Sequence, residues 1–320
     1  MSIFEDDEPD LDALRERLAD SDAVVRRIAV LALADSADPA AVPLLLVALA
    51  DADDDVRHAA ADALQSFDAA DAVRGLIEAV RDANEAVREA ATLALAETRA
   101  AAAGPVLLEY AADADPAVCA AALTGLREAR LPESLAPALL GAAHSDARVR
   151  RAAVGVLGYL RAPTAVPALV AAVRDPEPAV RRAAVSALSF LNSNAAGQAM
   201  EAALRDEHWQ VREEAAEAIG KVRLARGLAG LIAAMEDEYW QVRGKAASGL
   251  GRLGDTRALP ALGGALGHPV SNLRKEAAAA LGEIRHPGAL PGLRQAASDP
   301  DPDVRKLARW AIERIEAAAA

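Results

Sequence analysis

Cysteine is nearly absent: Cys119 is the single one in 320 residues. A disulfide framework and a thiolate metal cluster are therefore excluded within one chain. Aromatic residues make up only 3% of the sequence, although hydrophobic residues make up 53%. Much of that apolar content is alanine, the best helix former, which suits close packing of helices. Positive charge is in deficit, and the formal net charge is −13. That balance argues against nucleic acid or an anionic membrane as partner, since both favour Lys/Arg surfaces. Charges interrupt every apolar run before it reaches membrane-spanning length. The start, "MSIFEDDEPD", lacks the basic-then-apolar order of a signal peptide. A soluble cytoplasmic protein is expected, with residues 1–9 as an acidic disordered tail.

What is abundant is periodicity. The apolar residue of each "VR" falls at Val25, Val56, Val87, Val118, Val149, Val180, Val211, Val242, Leu273 and Val304, always 31 residues apart. Four residues after each of these anchors stands alanine, from Ala29 to Ala308, and eight after it leucine or isoleucine, from Leu33 to Ile312. Offsets 0, 4 and 8 share one face of an α-helix. Eleven residues before the anchor runs a second apolar column, Leu14, Leu45, Leu76, Leu107, Ala138, Leu169, Met200, Leu231, Leu262 and Leu293. It marks an earlier helix, often opened by proline, as at Pro43, Pro105, Pro167, Pro260 and Pro291. Proline fits a first helical turn because its missing N–H would be unpaired there anyway. Each of ten repeats thus reads as helix A, a turn and helix B. Neither helix can bury its apolar face without neighbours. At roughly 8–10 Å between packed helices, ten repeats predict a curved rod on the order of 90 Å long, without sheet.

Two polar columns accompany the apolar ones. One residue after the anchor is arginine in all repeats except the fourth, which has Cys119. Five residues before it is aspartate, except at His144 and His268. Arginine of one repeat pairing with aspartate of the next would fix register between stacked repeats. Cys119 and His144 then describe one missing rung, and His268 leaves Arg243 without its carboxylate.

A thirty-residue two-helix repeat with these columns and "VRRAAVSAL"-like B helices resembles the HEAT repeat. It looks most like the short HEAT-like class found in phycobilisome lyases. The resemblance covers roughly residues 10–316 and implies an all-α, right-handed α-solenoid, an armadillo-like superhelix of ten repeats, with 317–320 as a short C-terminal tail. It does not choose among the scaffolds, adaptors, chromophore lyases, iron hydroxylases and DNA-repair enzymes built on such arrays.

HEAT-like deoxyhypusine hydroxylases hold iron with repeated His-Glu pairs, and none of His58, His144, His208, His268 and His286 is followed by glutamate. Zinc lacks ligands as well. Cys119 and His144 form a conceivable thiol–imidazole pair, but replacement of one ladder rung explains both more simply. The glycines of "GRLGDTRALPALGGALG" occupy helix and turn positions rather than a phosphate loop. No catalytic residue, metal or cofactor is expected.

Trp209 and Trp240 stand two residues before their anchors, where other repeats carry Ala, Asp, Glu, Ser or Pro. The fold requires no aromatic there. Offsets +2, +6 and +9 should continue the exposed stripe of helix B on the concave side. In repeats 5 to 8 that stripe holds Arg151, Arg182, Glu213 and Glu217 among small residues, Gly244, Ser248, Gly220 and Gly251 included. His208, Tyr239, Gln210 and Gln241 flank the tryptophans. Large rigid aromatics above a small-residue groove are what a recognition surface needs. The expectation is a non-catalytic, monomeric scaffold that binds a protein partner on its concave face through these ten residues. A cofactor-attaching lyase or chaperone is the alternative, and a deoxyhypusine-hydroxylase-like oxidoreductase ranks below it. Trp310, in the last repeat, reads as a cap feature.

Overall fold

A computed structural model describes residues 10–98 and 103–319; the expected disordered tail, residues 1–9, lies outside them. The described residues form twenty α-helices and six short 3-10 turns, with no strand. The chain divides after Leu160 into two compact units. Each unit contains five of the ten repeats.

In the first unit the A helices are Leu11–Leu18, Val42–Ala48, Ala70–Ala79, Ala103–Tyr110 and Leu135–Gly141. Its B helices are Ala23–Ser36, Asp54–Leu64, Glu85–Glu97, Pro116–Ala129 and Ala147–Leu160. In the second unit the A helices are Val166–Ala172, Asn194–Ala203, Leu228–Ala234, Leu259–Ala265 and Leu290–Ala296. Its B helices are Pro178–Leu188, Trp209–Lys221, Trp240–Leu253, Ser271–Ile284 and Pro302–Ala319. All five predicted prolines lie in the first turn of their A helices. The C-terminal tail expected from residue 317 is instead helical as far as Ala319, because the alanine run after Ile315 carries no breaker.

The core follows the columns. All ten alanines at offset +4 are fully buried, and the leucine column of the A helices is buried throughout. Val25 and Ile312 are only half-buried, because the first and last repeats lack one neighbour. Six B helices end on a left-handed residue twelve positions after the anchor: Ala37, Arg130, Arg161, Arg223, Gly254 and Arg285. That conformation turns the chain away from the helix axis and toward the next A helix.

The polar ladder is real and has two ends. In five rungs, Arg26–Asp51, Arg57–Asp82, Arg181–Asp206, Arg212–Asp237 and Arg274–Asp299, the guanidinium grips the carboxylate through Nε and Nη2 at 2.6–3.1 Å. The same arginine donates Nη1–H to the carbonyl of the ladder residue in its own turn, as Arg212 does to Asp206 at 2.9 Å. The carboxylate in turn accepts the N–H two residues on, as Asp237 does from Tyr239 at 3.0 Å. Each rung therefore ties two successive A–B turns together. The rung expected from Arg88 is different: Asp113 takes Arg81 at 2.8 Å, and Arg88 bonds the carbonyls of Asp82 and Ala83.

The two histidines keep half of the aspartate's work. His144 Nδ1 accepts the N–H of Asp146 at 3.0 Å, and His268 Nδ1 that of Val270 at 3.1 Å. With Nδ1 accepting, the proton of a neutral His268 sits on Nε2, which faces the Nη1 donor of Arg243 at 3.3 Å. Two donors face each other and no rung forms. His268→Asp is expected to restore it and raise stability by roughly 1–2 kcal/mol, read as a higher urea midpoint; no gain would show that the Arg243 guanidinium is already satisfied.

Candidate functional site

The sequence treats Trp209 and Trp240 as equivalents. The structure gives them different surroundings. Trp209 opens the B helix of repeat 7 and stacks on Tyr239, with ring centroids 5.3 Å apart and planes 15° from parallel. The Arg212 guanidinium lies over the Tyr239 ring, 5.8 Å from its centroid. Trp209 is half-buried, so its ring joins the turns of repeats 7 and 8. Trp240 opens the next B helix and is 37% exposed. It stands at the rim of a groove of about 450 Å³ in the second unit, whose floor includes Gly244 and Ser248.

The remaining expected site residues divide in the same way. Gln241, Glu213 and Glu217 line the groove with Trp240. Arg182 lines an adjoining hollow that shares Glu213 and Glu217. His208 is half-buried in the turn, where its N–H donates to Asp206 at 2.8 Å and its Nδ1 has no partner. Gln210 is half-buried beside Trp209. Arg151 is exposed on the last B helix of the first unit.

One column of the expected stripe does not face the groove. Gly220 and Gly251, at offset +9, are buried. A Cβ on Gly220 would lie 2.5 Å from the Cα of Gly249, and one on Gly251 would lie 2.8 Å from the Cα of Ala280. These glycines let successive B helices approach backbone to backbone. On an ideal helix offset +9 falls within about 20° of offsets −2 and +2, where Trp240, Glu213 and Gly244 line the groove, so rotation alone does not set it apart; the close approach of the next B helix does. The sequence reading missed Lys245 and Glu276 at +3, Asn272 at −1 and Arg252 at +10, which line the groove from the flank of the expected stripe. Charged residues at +3 in repeats 7 to 9, Glu214, Lys245 and Glu276, where repeats 2 to 6 carry alanine, were the available signal.

The electrostatics of the groove centre on Lys245. Its ammonium pairs with Glu217, and this bond, with Glu213 and Glu276 nearby, raises its pKa. Glu213 and Glu276 have no such bond. Burial pushes both carboxyls above the usual carboxylate range, against the pull of Lys245.

No reactive pair forms at Cys119. Its thiol is buried and donates to the carbonyl of Ala111 at 3.2 Å, and burial raises its pKa, the opposite of an activated nucleophile. Among the described residues no group of three or more His, Cys, Asp or Glu stands where it could hold a metal ion, and no helix is long and apolar enough to cross a membrane. The Trp310 ring packs against Gly282 of the preceding B helix.

Comparison with known proteins agrees with this architecture. No curated protein matches the sequence. Among solved structures, an engineered protein is similar over 96% of this chain and 98% of its own, at 19% identity and a TM-score of 0.51. The Escherichia coli protein YibA is similar over 76% of this chain and 92% of its own, at 22% identity and a TM-score of 0.58. Kap95 in its complex with Nup1 is similar over 96% of this chain, which spans 49% of Kap95, at 16% identity and a TM-score of 0.59. At these identities the likeness is one of fold, an α-solenoid. The sequence pattern of HEAT repeats matches residues 11–96, 46–127, 133–220 and 228–313, which is nearly all of the chain. With its helix pairs, its buried columns and its inter-repeat ladder, the protein belongs to the HEAT-repeat family.

Proposed function

We propose that this protein is a non-catalytic scaffold or adaptor that binds a protein partner on the open face of the B helices of repeats 7 to 9. The observation that carries the reading is Trp240, a large ring left over one-third exposed at the rim of a groove floored by Gly244 and Ser248. A rigid aromatic beside an unfilled concavity gives burial on binding at low entropy cost. Kap95, which is similar in fold, forms a complex with Nup1, and this supports a binding role.

Trp240→Ala is expected to leave the fold intact and to weaken capture of the native partner from lysate roughly tenfold or more. Trp209→Ala is expected to lose the stack on Tyr239 and cost roughly 1–2 kcal/mol of stability. Circular dichroism and urea midpoints separate the two effects. An unchanged set of captured proteins with Trp240→Ala would remove the anchor from this reading. A chromophore carried by the purified protein would replace it with the lyase reading.

A further inference from the structure

Successive B helices meet along fixed columns. Offsets −1, +3 and +6 of one helix face offsets +2, +6 and +9 of the helix before it. Asp55 meets Arg27 at 3.7 Å, Lys245 pairs with Glu217, and Trp310 packs on Gly282. In repeat 1 the same three offsets hold Val24, Ile28 and Leu31, and no repeat precedes it among the described residues. These side chains are 54%, 45% and 52% exposed. No other repeat carries large aliphatic residues at all three offsets. On the A helix of repeat 1, Arg17 is exposed in the column where other repeats bury alanine, as at Ala48 and Ala79. The open end of the first unit is thus an aliphatic stripe with a cation on the helix beside it.

A terminal repeat is expected to turn a polar face to solvent. The last repeat does so, with Lys306, Arg309 and Glu313 exposed at +2, +5 and +9. Stacking copies head to tail would bury those charges against the aliphatic stripe, at a cost. Three half-exposed side chains also fall well short of the roughly 800 Å² per partner of a standard interface. The net charge of −13 opposes pairing with a second copy. What fits is a short segment with one or two large apolar side chains and negative charge. Residues 1–9 have that composition: Ile3 and Phe4, then Glu5, Asp6, Asp7 and Glu8. Asp10, where they join the fold, caps the A helix and lines a hollow with Ser36, the last residue of the B helix that carries the stripe. Six extended residues from Asp10 back to Phe4 reach up to about 20 Å. The stripe from Val24 to Leu31 is about 10 Å long.

We propose that residues 1–9 close the open end of repeat 1, with Ile3 and Phe4 laid on Val24, Ile28 and Leu31 and the following acidic residues turned toward Arg17. The segment takes the place that a preceding repeat fills elsewhere in the array. Docking replaces, for Ile3 and Phe4, the disorder expected from composition.

The test uses the full chain, whose one cysteine is buried. Phe4→Cys combined with Ile28→Cys is expected to close an intramolecular disulfide under mild oxidation. Phe4→Cys combined with Arg15→Cys is the control, because Arg15 is exposed on the flank toward Leu44 of repeat 2 and lies within the same reach of chain. The first pair should close roughly tenfold faster or more, since a disulfide needs the two Cα atoms within about 7 Å. Equal rates would mean that the segment does not dock and would overturn the proposal. Cross-linked dimers in place of the closed ring would give the face to a second copy. Independently, Phe4→Ala should lower the urea midpoint of the wild type and leave it unchanged in an Ile28→Ala/Leu31→Ala background. No shift in the wild type, or the same shift in both backgrounds, removes the contact.

Discussion

Asp237→Ala should destabilise the second unit by roughly 3 kcal/mol, more than removal of any exposed charge. The carboxylate and its partner Arg212 are about one-tenth exposed, at 9% and 11%. Truncating the acid strands a guanidinium in that enclosure. It also removes the acceptor of the Tyr239 N–H, which holds the turn before the B helix. Asp237→Asn separates the two losses, because the amide oxygen can still accept from Tyr239 while the charge is gone. An intermediate urea midpoint for Asn, between wild type and Ala, is expected; equal midpoints for Asn and wild type would mean that the rung contributes only its turn contact.

Acid acts on the same rungs. The carboxyls of Asp51, Asp82 and Asp299 are held below their ordinary range by the arginines they bond. Asp237 is lowered too, with burial opposing the hydrogen bonds from Arg212 and Tyr239. A carboxyl whose pKa is lower folded than unfolded contributes stability that is present above the unfolded value and lost as pH falls through the folded one. Helix content followed by circular dichroism should therefore hold down to about pH 4 and fall below it.

Gly220→Ala should cost about 2 kcal/mol, although alanine is the better helix former by roughly 1 kcal/mol. The added carbon would sit 2.5 Å from the Cα of Gly249, and backbone cannot rotate aside as a side chain can. Gly244→Ala is the contrast. A Cβ there meets nothing nearer than Glu276 Cγ at 3.9 Å, so the propensity gain of up to about 1 kcal/mol survives. Opposite shifts of the two urea midpoints are the expected result. Two shifts of the same sign would mean that the B helices can separate at Gly220 without loss.

Much of this was written in the sequence because a strict period repeats each physical demand ten times. The alanine at offset +4 is legible as core since no single substitution obscures it, and the ladder is legible since arginine and aspartate recur at fixed offsets. The site was legible only in part. Trp240 stood out as an aromatic that the repeat does not need, and so did Trp209, which turned out to be stacked on Tyr239. Offsets give the direction of a side chain to within about one residue's rotation, which is too coarse to tell the groove floor from the helix contact at Gly220 and Gly251. Lys245 and Glu276 show in the sequence only as charges at offset +3, and the pairing of Lys245 with Glu217 depends on side-chain reach that no column records.

The ladder also has a mechanical meaning. Each rung clamps only adjacent turns, so stiffness along the second unit is set joint by joint. The joint between repeats 8 and 9, where Arg243 meets His268 instead of a carboxylate, lacks that clamp. The groove spans that same joint, with Trp240 on one side and Glu276 on the other. A chain seated across both would act as a splint, adding a link between successive repeats where the ladder supplies none.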